Sequence, residues 1–239
     1  MTVKQFADQR RALEKCTQTN NSQLPLHNKE EDSVVAEWPL PNVFVISIRM
    51  KRLYNCLRRL GKLCQYVTII PACNGENINR KNFPSSRLRR GQLGCFESHL
   101  RVWRYVIEHN IEKALILEDD ASLYPNATVC EHIAMVLADL VAVDYDIVCL
   151  GRSFVKRINA DRVTPRLVRT GDFYGLFAYV ITRPAAIKLI LHETIQSFSE
   201  PVDSLLSALN ISGYLTIYAC HPSVCATIPN TYSDTNRIK

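Results

Sequence analysis

Three consecutive carboxylates, Glu118, Asp119 and Asp120, follow an apolar run that ends at Leu117. If the backbone stays extended there, Glu118 and Asp120 point to one side and Asp119 to the other. Like charges held that close in a partly dry crevice repel each other unless a cation neutralises them. Oxygen ligands select hard divalent cations such as Mn²⁺ or Mg²⁺, which also bind phosphate oxygens. The cluster therefore indicates a metal site that binds a diphosphate.

The same carboxylates also have a purely structural interpretation. An acidic turn in which Asp119 or Asp120 caps a following helix needs no metal ion. His221, which follows a later strand-like run, is either a further metal ligand or a structural histidine before Pro222. The metal hypothesis therefore depends on which other residues surround the acidic cluster.

Strands and helices alternate along most of the chain. The predicted strands, which are rich in β-branched residues, are 43–48, 66–70, 114–117, 146–150, 177–181 and 215–219. The predicted helices, with apolar residues at helical spacing, are 53–63, 94–110, 129–140, 184–191 and 202–209. The segment 152–169, rich in arginine, is predicted to be a loop. We expect an α/β fold with a mostly parallel sheet, which binds ligands beyond the carboxyl ends of its strands.

Length and composition indicate one globular domain. The chain has 239 residues, of which 47% are hydrophobic and 22% are charged. We expect a single domain over 39–239 after a polar extension over 1–38, which contains a short helical pattern. No apolar run reaches the roughly 18 residues of a membrane span, and the N-terminus lacks the pattern of a signal peptide. We therefore expect a cytoplasmic protein.

Charge and cysteine content narrow the class of partner. A formal net charge of +6 suits an anionic substrate or peripheral contact with an acidic membrane surface. The basic residues lack the aromatic interleaving or zinc-finger spacing of nucleic-acid binders, so no nucleic-acid partner is expected. The nine cysteines show no paired CxxC spacing, so reduced thiols are expected. The sequence does not indicate an oligomeric state.

A longer motif precedes the acidic cluster. Residues 90–103 read RGQLGCFESHLRVW, and an apolar run ending in Glu-Asp-Asp follows them. Together these stretches resemble glycosyltransferase family 25, whose pattern reads like G-E-[IL]-G-C-x-x-S-H-x-x-x-W and then a strand ending in E-D-D. The matching residues are Gly91, Leu93, Gly94, Cys95, Ser98, His99 and Trp103. Looser similarity follows the same order at 43–49, 71–75, 175–187, 201–203 and 232–235.

The resemblance implies a GT-A-like fold, an α/β/α sandwich that binds a nucleotide sugar. It implies transfer of galactose or glucose from a UDP-sugar donor to a hydroxyl of a glycan or glycoprotein acceptor, with inversion at the anomeric carbon. It also implies Mn²⁺ or Mg²⁺ bridging the two phosphates of the donor. We assign this ion to Glu118 and Asp120, with Asp119 as an alternative ligand and His221 as the further candidate.

The resemblance also supplies candidate donor contacts and candidate bases. The candidate donor contacts are Ser47, Arg49, Asn74, Gly75, Ser98, His99 and Asp119. Inversion needs a base that takes the proton of the acceptor, and Asp203 is the first candidate and Asp172 the second. Each candidate base also has a structural alternative. Asp203 could instead stabilise a helix dipole, and Asp172 could be a solvated turn residue. A buried hydrogen bond is the alternative for His99, and core packing accounts for Trp103.

Two other functions are compatible with parts of the pattern. Gln92 stands where the family usually has Glu, and this departure is the one hint of an inactive nucleotide-sugar- or glycan-binding module with the same fold. The retained acidic residues disfavour that alternative. A metal-dependent nucleotidyltransferase also places carboxylates after a strand, but the chain has no glycine-rich triphosphate loop. A hexosyltransferase is therefore the first prediction and a binding module the second.

Overall fold

The computed structural model describes residues 42–84, 86–123, 128–152, 154–155 and 161–228. The expected extension over 1–38, the expected domain start at 39 and the similar segment at 232–235 lie outside the described residues. Within the described ranges, no helix combines the length and the apolar composition that a membrane crossing requires.

A mixed sheet forms the centre of the molecule. The strands are β1 (Val43–Ser47), β2 (Val67–Pro71), β3 (Lys113–Glu118), β4 (Ala121–Leu123), β5 (Ile147–Gly151), β6 (Phe154–Val155), β7 (Arg162–Thr164), β8 (Leu167–Arg169), β9 (Phe173–Tyr174), β10 (Ala178–Thr182), β11 (Ile217–Cys220) and β12 (Cys225–Thr227). The central sheet has eight strands in the order β2-β1-β3-β10-β5-β11-β8-β7. Two small sheets pair β4 with β12 and β6 with β9.

Helices cover both faces of this sheet. They are α1 (Met50–Leu60), α2 (Arg90–Glu108), α3 (Thr128–Asp139), α4 (Arg183–Leu191), α5 (Glu193–Ser197) and α6 (Val202–Ile211). Leu57 of α1 and Ile133 of α3 belong to one buried core, and Trp103 of α2 belongs to the other. Val45 and Phe44, neighbours on β1, divide between the two cores because successive strand side chains alternate in direction. The predicted α/β class, with a central sheet covered on both faces, is confirmed.

The direction of β10 explains why the sheet is mixed. Strand β1 is parallel to β2 and β3, and β5 is parallel to β11, as the alternation of strands and helices predicted. Strand β10 runs antiparallel between β3 and β5. Among the described residues, no helix lies between β5 and β10, and a parallel return requires a crossover connection that is usually helical. The chain therefore enters β10 in the opposite direction.

The segment 152–169 is not only a loop. It contains β6, β7 and β8, and the hairpin of β7 and β8 forms one edge of the central sheet. Arg162 and Arg169 are exposed, whereas Leu167 and Val168 are buried. Short edge strands with charged, exposed side chains carry little strand pattern, so the loop prediction is wrong for these residues.

Strand β3 delivers the acidic cluster to one edge of the sheet. It lies between β1 and β10, and residues 114–117 are buried on both faces. This position accounts for the uninterrupted apolar run in its sequence. Because β1 and β2 run parallel to β3, all three strands end at the edge where Glu118 stands.

Candidate active site

A cavity of about 500 Å³ opens at the carboxyl ends of β1, β2 and β3. The segments that follow these strands line it, together with the first turns of α2. All the predicted donor contacts and two of the predicted metal ligands line the cavity, namely Ser47, Arg49, Asn74, Gly75, Ser98, His99, Glu118, Asp119 and Asp120. This is the place where open α/β sheets bind ligands.

The acidic residues adopt a turn. Strand β3 ends at Glu118, and Asp119 and Asp120 form the turn that leads into β4. The condition of an extended backbone is therefore not met, and strict alternation of the side chains does not apply. Arg52 Nη2 lies 2.7 Å from Asp119 Oδ1 and 3.1 Å from Asp120 Oδ2, so one guanidinium group bridges both carboxylates.

Further contacts hold Asp119 in place. Ser47 Oγ donates a hydrogen bond to Asp119 Oδ2 at 2.7 Å. Arg59 Nη2 donates to the carbonyl oxygens of Asp119 and Ala121 at 3.1 Å and 3.3 Å. Arg52 and Arg59 are seven residues apart on α1, a spacing of about two helical turns that puts both on one side of the helix. Helix α1 thus braces the acidic turn, a role that sequence reasoning missed although the spacing was visible in the basic run.

Asp120 fits a cation site. Its Oδ1 is buried and has no hydrogen-bond partner among the described residues. Burial, and then the charge of Glu118, raise the pKa of Asp120 from 3.8 to about 6, against the lowering effect of Arg52. A buried carboxylate oxygen without a donor costs free energy, which an ion bound to it offsets. The oxygens of Asp120 and Glu118 therefore suit a hard divalent cation such as Mn²⁺ or Mg²⁺.

Glu118 faces helix α2. His99 Nε2 lies 3.2 Å from Glu118 Oε1, and the thiol of Cys95 donates to the same oxygen at 3.8 Å. Ligand atoms of Cys95, His99 and Glu118 all lie within 4.8 Å of one another. The sequence prediction omitted Cys95, although four residues separate it from His99 on one helix face. In the metal-free protein, burial, and then the charge of Glu118, raise the pKa of the Cys95 thiol well above 9.0.

His99 also contacts the core behind the cavity. Its Nδ1 lies 2.9 Å from Tyr179 Oη, and Trp103 Nε1 donates to the same hydroxyl at 2.9 Å. Trp103 is fully buried in the core beside α2, as its helical position predicted. His99 therefore connects the apolar core to the acidic cluster.

Ser98 and two glycines bring α2 against the turn after β2. Ser98 Oγ donates to the carbonyl oxygen of Gly94 at 2.6 Å and accepts from Cys73 N at 2.8 Å. A Cβ atom added to Gly75 would lie 1.8 Å from the carbonyl oxygen of Arg90, and one added to Gly94 would lie 2.6 Å from that of Cys73. Only glycine permits this close approach of two backbones. These residues shape the cavity wall, and the donor contacts of Ser98 and Gly75 stay predictions.

Asn74 and Arg49 complete the wall. The Oδ1 atom of Asn74 accepts from Glu76 N at 3.0 Å and caps a short 3₁₀ helix. Arg49 is half-buried and immediately precedes α1. Both line the cavity, so the structure brings them together with the acidic cluster.

The candidate bases do not line the cavity. Asp203 is in the first turn of α6, where its oxygens accept from Gly175 N and Ser204 N, each at 2.9 Å. Its negative charge contributes to the raised pKa of Cys95 on the cavity wall. Asp172 is half-buried before β9 and is not among the cavity residues. The catalytic roles of both acids stay predictions.

The structure does not bring His221 to the acidic cluster. His221 is exposed after β11, and its backbone nitrogen donates to the carbonyl oxygen of Arg166 at 2.9 Å. Strand β11 lies three positions from β3 in the sheet, a separation on the order of 14 Å at the usual strand spacing. A role for His221 as a ligand of the same ion therefore has no support in the geometry.

Gln92 has an observed structural role. Its Oε1 accepts from Arg89 N at 2.9 Å and caps the first turn of α2. Glu and Gln both perform this function at the third position of a helix. Gln92 therefore retains the capping role that a Glu at this position would have.

Comparison with known proteins gives a family match. A family model described as glycosyltransferase family 25 (LPS biosynthesis protein) matches residues 40–206. This range contains β1, α1, β2, α2, β3 and the acidic turn. It covers most of the chain and all the residues that line the cavity.

Curated relatives are similar over the same domain. Procollagen galactosyltransferase 2 of Homo sapiens is 27% identical over 190 residues, which are 70% of this chain and 30% of that protein. Procollagen galactosyltransferase 1-B of Xenopus laevis is 26% identical over 75% of this chain and 32% of its own length. A probable inactive glycosyltransferase 25 family member 3 of Rattus norvegicus is 24% identical over 70% of this chain and 32% of its own length. The chain spans about a third of the length of these relatives. On the match over 40–206, the chain belongs to glycosyltransferase family 25.

Proposed function

We propose that this chain transfers galactose or glucose from a UDP-sugar to an acceptor hydroxyl, with inversion, and that it uses Mn²⁺ or Mg²⁺. One observation carries the proposal. The buried Oδ1 of Asp120, without a partner among the described residues, belongs to the same cavity as Glu118 at the carboxyl edge of the sheet. In a family of glycosyltransferases, a cation at such a place serves the diphosphate of a nucleotide sugar.

The proposed substrates follow from the family and the relatives. Two relatives are named procollagen galactosyltransferases, which supports galactose as the transferred sugar and a protein-linked acceptor. The family description refers to LPS biosynthesis, which supports a glycan acceptor. We therefore propose a glycan or a glycosylated protein as the acceptor.

The charged residues of the cavity have distinct proposed roles. Glu118 and Asp120 would hold the cation, which when bound supplies Lewis-acid stabilisation of the departing diphosphate worth several kcal/mol. Arg49, Arg52 and Arg90 line the same cavity and offset the negative charge of the phosphates. The cavity thus offers carboxylates for the cation and guanidinium groups for the diphosphate.

The acceptor hydroxyl must lose a proton as it attacks the anomeric carbon. We assign this proton to Asp203, because its charge reaches Cys95 on the cavity wall and the backbone nitrogens of Gly175 and Ser204 hold its carboxylate in place. Asp172 is the second candidate. The assignment to Asp203 requires the acceptor to lie between α6 and the cavity.

A catalytically inactive binding module is the second candidate function. Relatives of Rattus norvegicus, Mus musculus and Bos taurus are named inactive or probable inactive members of the family. In addition, Arg52 already supplies a positive charge to Asp119 and Asp120. A module of this kind would bind the nucleotide sugar without turnover.

The test compares binding and turnover in four proteins. We expect the native chain to bind Mn²⁺ and UDP in calorimetry and to hydrolyse a UDP-sugar in the presence of Mn²⁺. Because each substitution of a metal ligand removes a charged oxygen, Glu118→Gln and Asp120→Asn should each lower the affinity for Mn²⁺ and the rate of UDP-sugar hydrolysis by about 100-fold or more. The matched control is Asp144→Asn, which neutralises an exposed acid outside the cavity and should behave like the native chain.

The outcomes separate the two functions. Native protein that binds Mn²⁺ and UDP but neither hydrolyses nor transfers a sugar would favour the binding module. The assigned cation site would be contradicted if the native protein does not bind Mn²⁺. It would also be contradicted if the variants at Glu118 and Asp120 bind Mn²⁺ with the affinity of the native chain.

A further inference from the structure

Three buried side chains connect the core of the protein to Glu118. The contacts run from Trp103 Nε1 to Tyr179 Oη at 2.9 Å, from Tyr179 Oη to His99 Nδ1 at 2.9 Å, and from His99 Nε2 to Glu118 Oε1 at 3.2 Å. Trp103 and Tyr179 are 0% exposed and His99 is 1% exposed. Bulk solvent therefore does not reach these groups.

Two neighbouring elements bring these residues together. Trp103 follows His99 by four residues on α2, so the two side chains lie on one face of the helix. Tyr179 pairs with Ile116 in the antiparallel register of β10 and β3. Glu118 is two residues after Ile116 along β3, and both residues therefore project toward α2. The antiparallel entry of β10 is what places a tyrosine beneath the acidic cluster.

The hydrogen-bonding capacities of these groups fix the direction of each bond. An indole N–H only donates, so Tyr179 Oη accepts from Trp103. The tyrosine O–H then needs an acceptor, and among the described residues His99 Nδ1 is the partner in reach. Burial raises the pKa of Tyr179 well above 10.0, which keeps this proton on the phenol oxygen.

The state of His99 follows from this direction. Its Nδ1 accepts and therefore carries no proton, which places the ring proton on Nε2. Nε2 then donates to Glu118 Oε1. The opposite tautomer would leave the buried O–H of Tyr179 without an acceptor, at a cost of about 1–3 kcal/mol.

We propose that Trp103 and Tyr179 act through His99 as positioning residues for Glu118. The imidazole, held as an Nε2–H donor, fixes Oε1 of Glu118 through a hydrogen bond and leaves Oε2 as the oxygen available to a cation. In this state His99 has no free lone pair toward the acidic cluster, so it is not a metal ligand. The identity of the bound ion in this inference rests on the proposed function.

The first test examines the tautomer in metal-free protein. Nitrogen NMR of protein labelled in its six histidines distinguishes protonated from unprotonated ring nitrogens, and His99→Gln identifies the signals of His99. We expect His99 to be protonated at Nε2 and unprotonated at Nδ1, and Tyr179→Phe to produce a mixture of tautomers. A native His99 protonated at Nδ1 would overturn the inference, and this measurement requires neither activity nor a metal ion.

The second test examines the affinity for Mn²⁺ by calorimetry. Partners of metal ligands typically contribute 10- to 100-fold, so Tyr179→Phe and His99→Leu should weaken Mn²⁺ binding by about that factor. His99→Gln should restore most of the affinity, because its amide nitrogen also donates a hydrogen bond. Tyr145→Phe is the matched control, since the hydroxyl it removes has no hydrogen-bond partner among the described residues.

Each outcome has a defined meaning. Native-like Mn²⁺ affinity in both Tyr179→Phe and His99→Leu would overturn the positioning role. If Tyr179→Phe does not fold, the tautomer of the native protein and the contrast between His99→Leu and His99→Gln decide the question. Native protein that binds no Mn²⁺ would instead contradict the proposed function, while the tautomer still decides the direction of the hydrogen bonds.

Discussion

At the residue scale, Asp120 is held under conditions that disfavour its charge. Burial and the neighbouring charge of Glu118 raise its pKa from 3.8 to about 6. Between these two values the folded protein binds a proton that the unfolded chain has lost. The contribution of Asp120 to the free energy of unfolding of the metal-free protein is therefore fully present below the unfolded pKa of 3.8. It is lost as pH rises through the folded pKa of about 6.

This sign leads to a prediction for Asp120→Asn. Between about pH 4 and about pH 7, we expect the free energy of unfolding of the metal-free native protein to fall by roughly 2 kcal/mol more than that of the metal-free variant. Urea unfolding in the presence of a chelator at several pH values measures the difference. Asp144→Asn should reproduce the native profile, because its carboxylate is exposed. Identical pH profiles of unfolding free energy for Asp120→Asn and the native chain would contradict the raised pKa of Asp120.

The residues of the cavity were predictable to different degrees. Glu118 and Asp120 stand out in the sequence because an apolar strand ends abruptly in acids. Arg52 does not stand out in the sequence, because a basic residue in a basic helix gives no indication of which acid it contacts. Tyr179 could not be connected to His99 from spacing, since 80 residues separate them and the contact depends on the register of β10.

At the element scale, the first turn of α2 forms part of the cavity wall. Arg90 and Gly91 line the cavity at this end of the helix, and Gln92 satisfies the backbone nitrogen of Arg89 there. The position of this turn determines where Cys95 and His99 lie. The cap at Gln92 therefore contributes to the geometry of the site without contacting a ligand.

Substitution of Gln92 tests this role. Gln92→Ala should lower the free energy of unfolding by about 1 kcal/mol, because an orphan backbone nitrogen loses its acceptor. Gln92→Glu should retain the cap and gain a few tenths of a kcal/mol from the helix dipole, with UDP-sugar hydrolysis equal to that of the native chain. Thermal unfolding and a hydrolysis assay measure both effects. Loss of hydrolysis in Gln92→Glu would show that the amide has a further function.

Most elements of the fold were predictable because their patterns are local. Helix α2 carries apolar residues at helical spacing over its whole length, and β1, β3 and β5 are continuous apolar runs. The hairpin of β7 and β8 was not predictable, because three-residue strands at an edge show no extended alternation. The direction of β10 depends on the path of the preceding chain, which periodicity does not contain.

At the scale of the whole molecule, the site depends on segments far apart in the sequence. Ends of three parallel strands supply Ser47, Asn74 and Glu118, helix α2 supplies His99, and the antiparallel strand β10 supplies the tyrosine behind it. The sheet order places β11, and with it His221, three strand positions from β3. The topology therefore selects which of the chemically suitable residues meet, and the central claim is that those at the end of β3 bind a cation.

The most direct measurement is a crystal structure of the chain grown with Mn²⁺ and UDP, with data collected at the manganese absorption edge. We predict an anomalous peak bound by carboxylate oxygens of Glu118 and Asp120, with the diphosphate of UDP against the same ion. An ion and nucleotide bound elsewhere, or a cavity in which UDP binds and the acidic turn holds no manganese, would contradict the account.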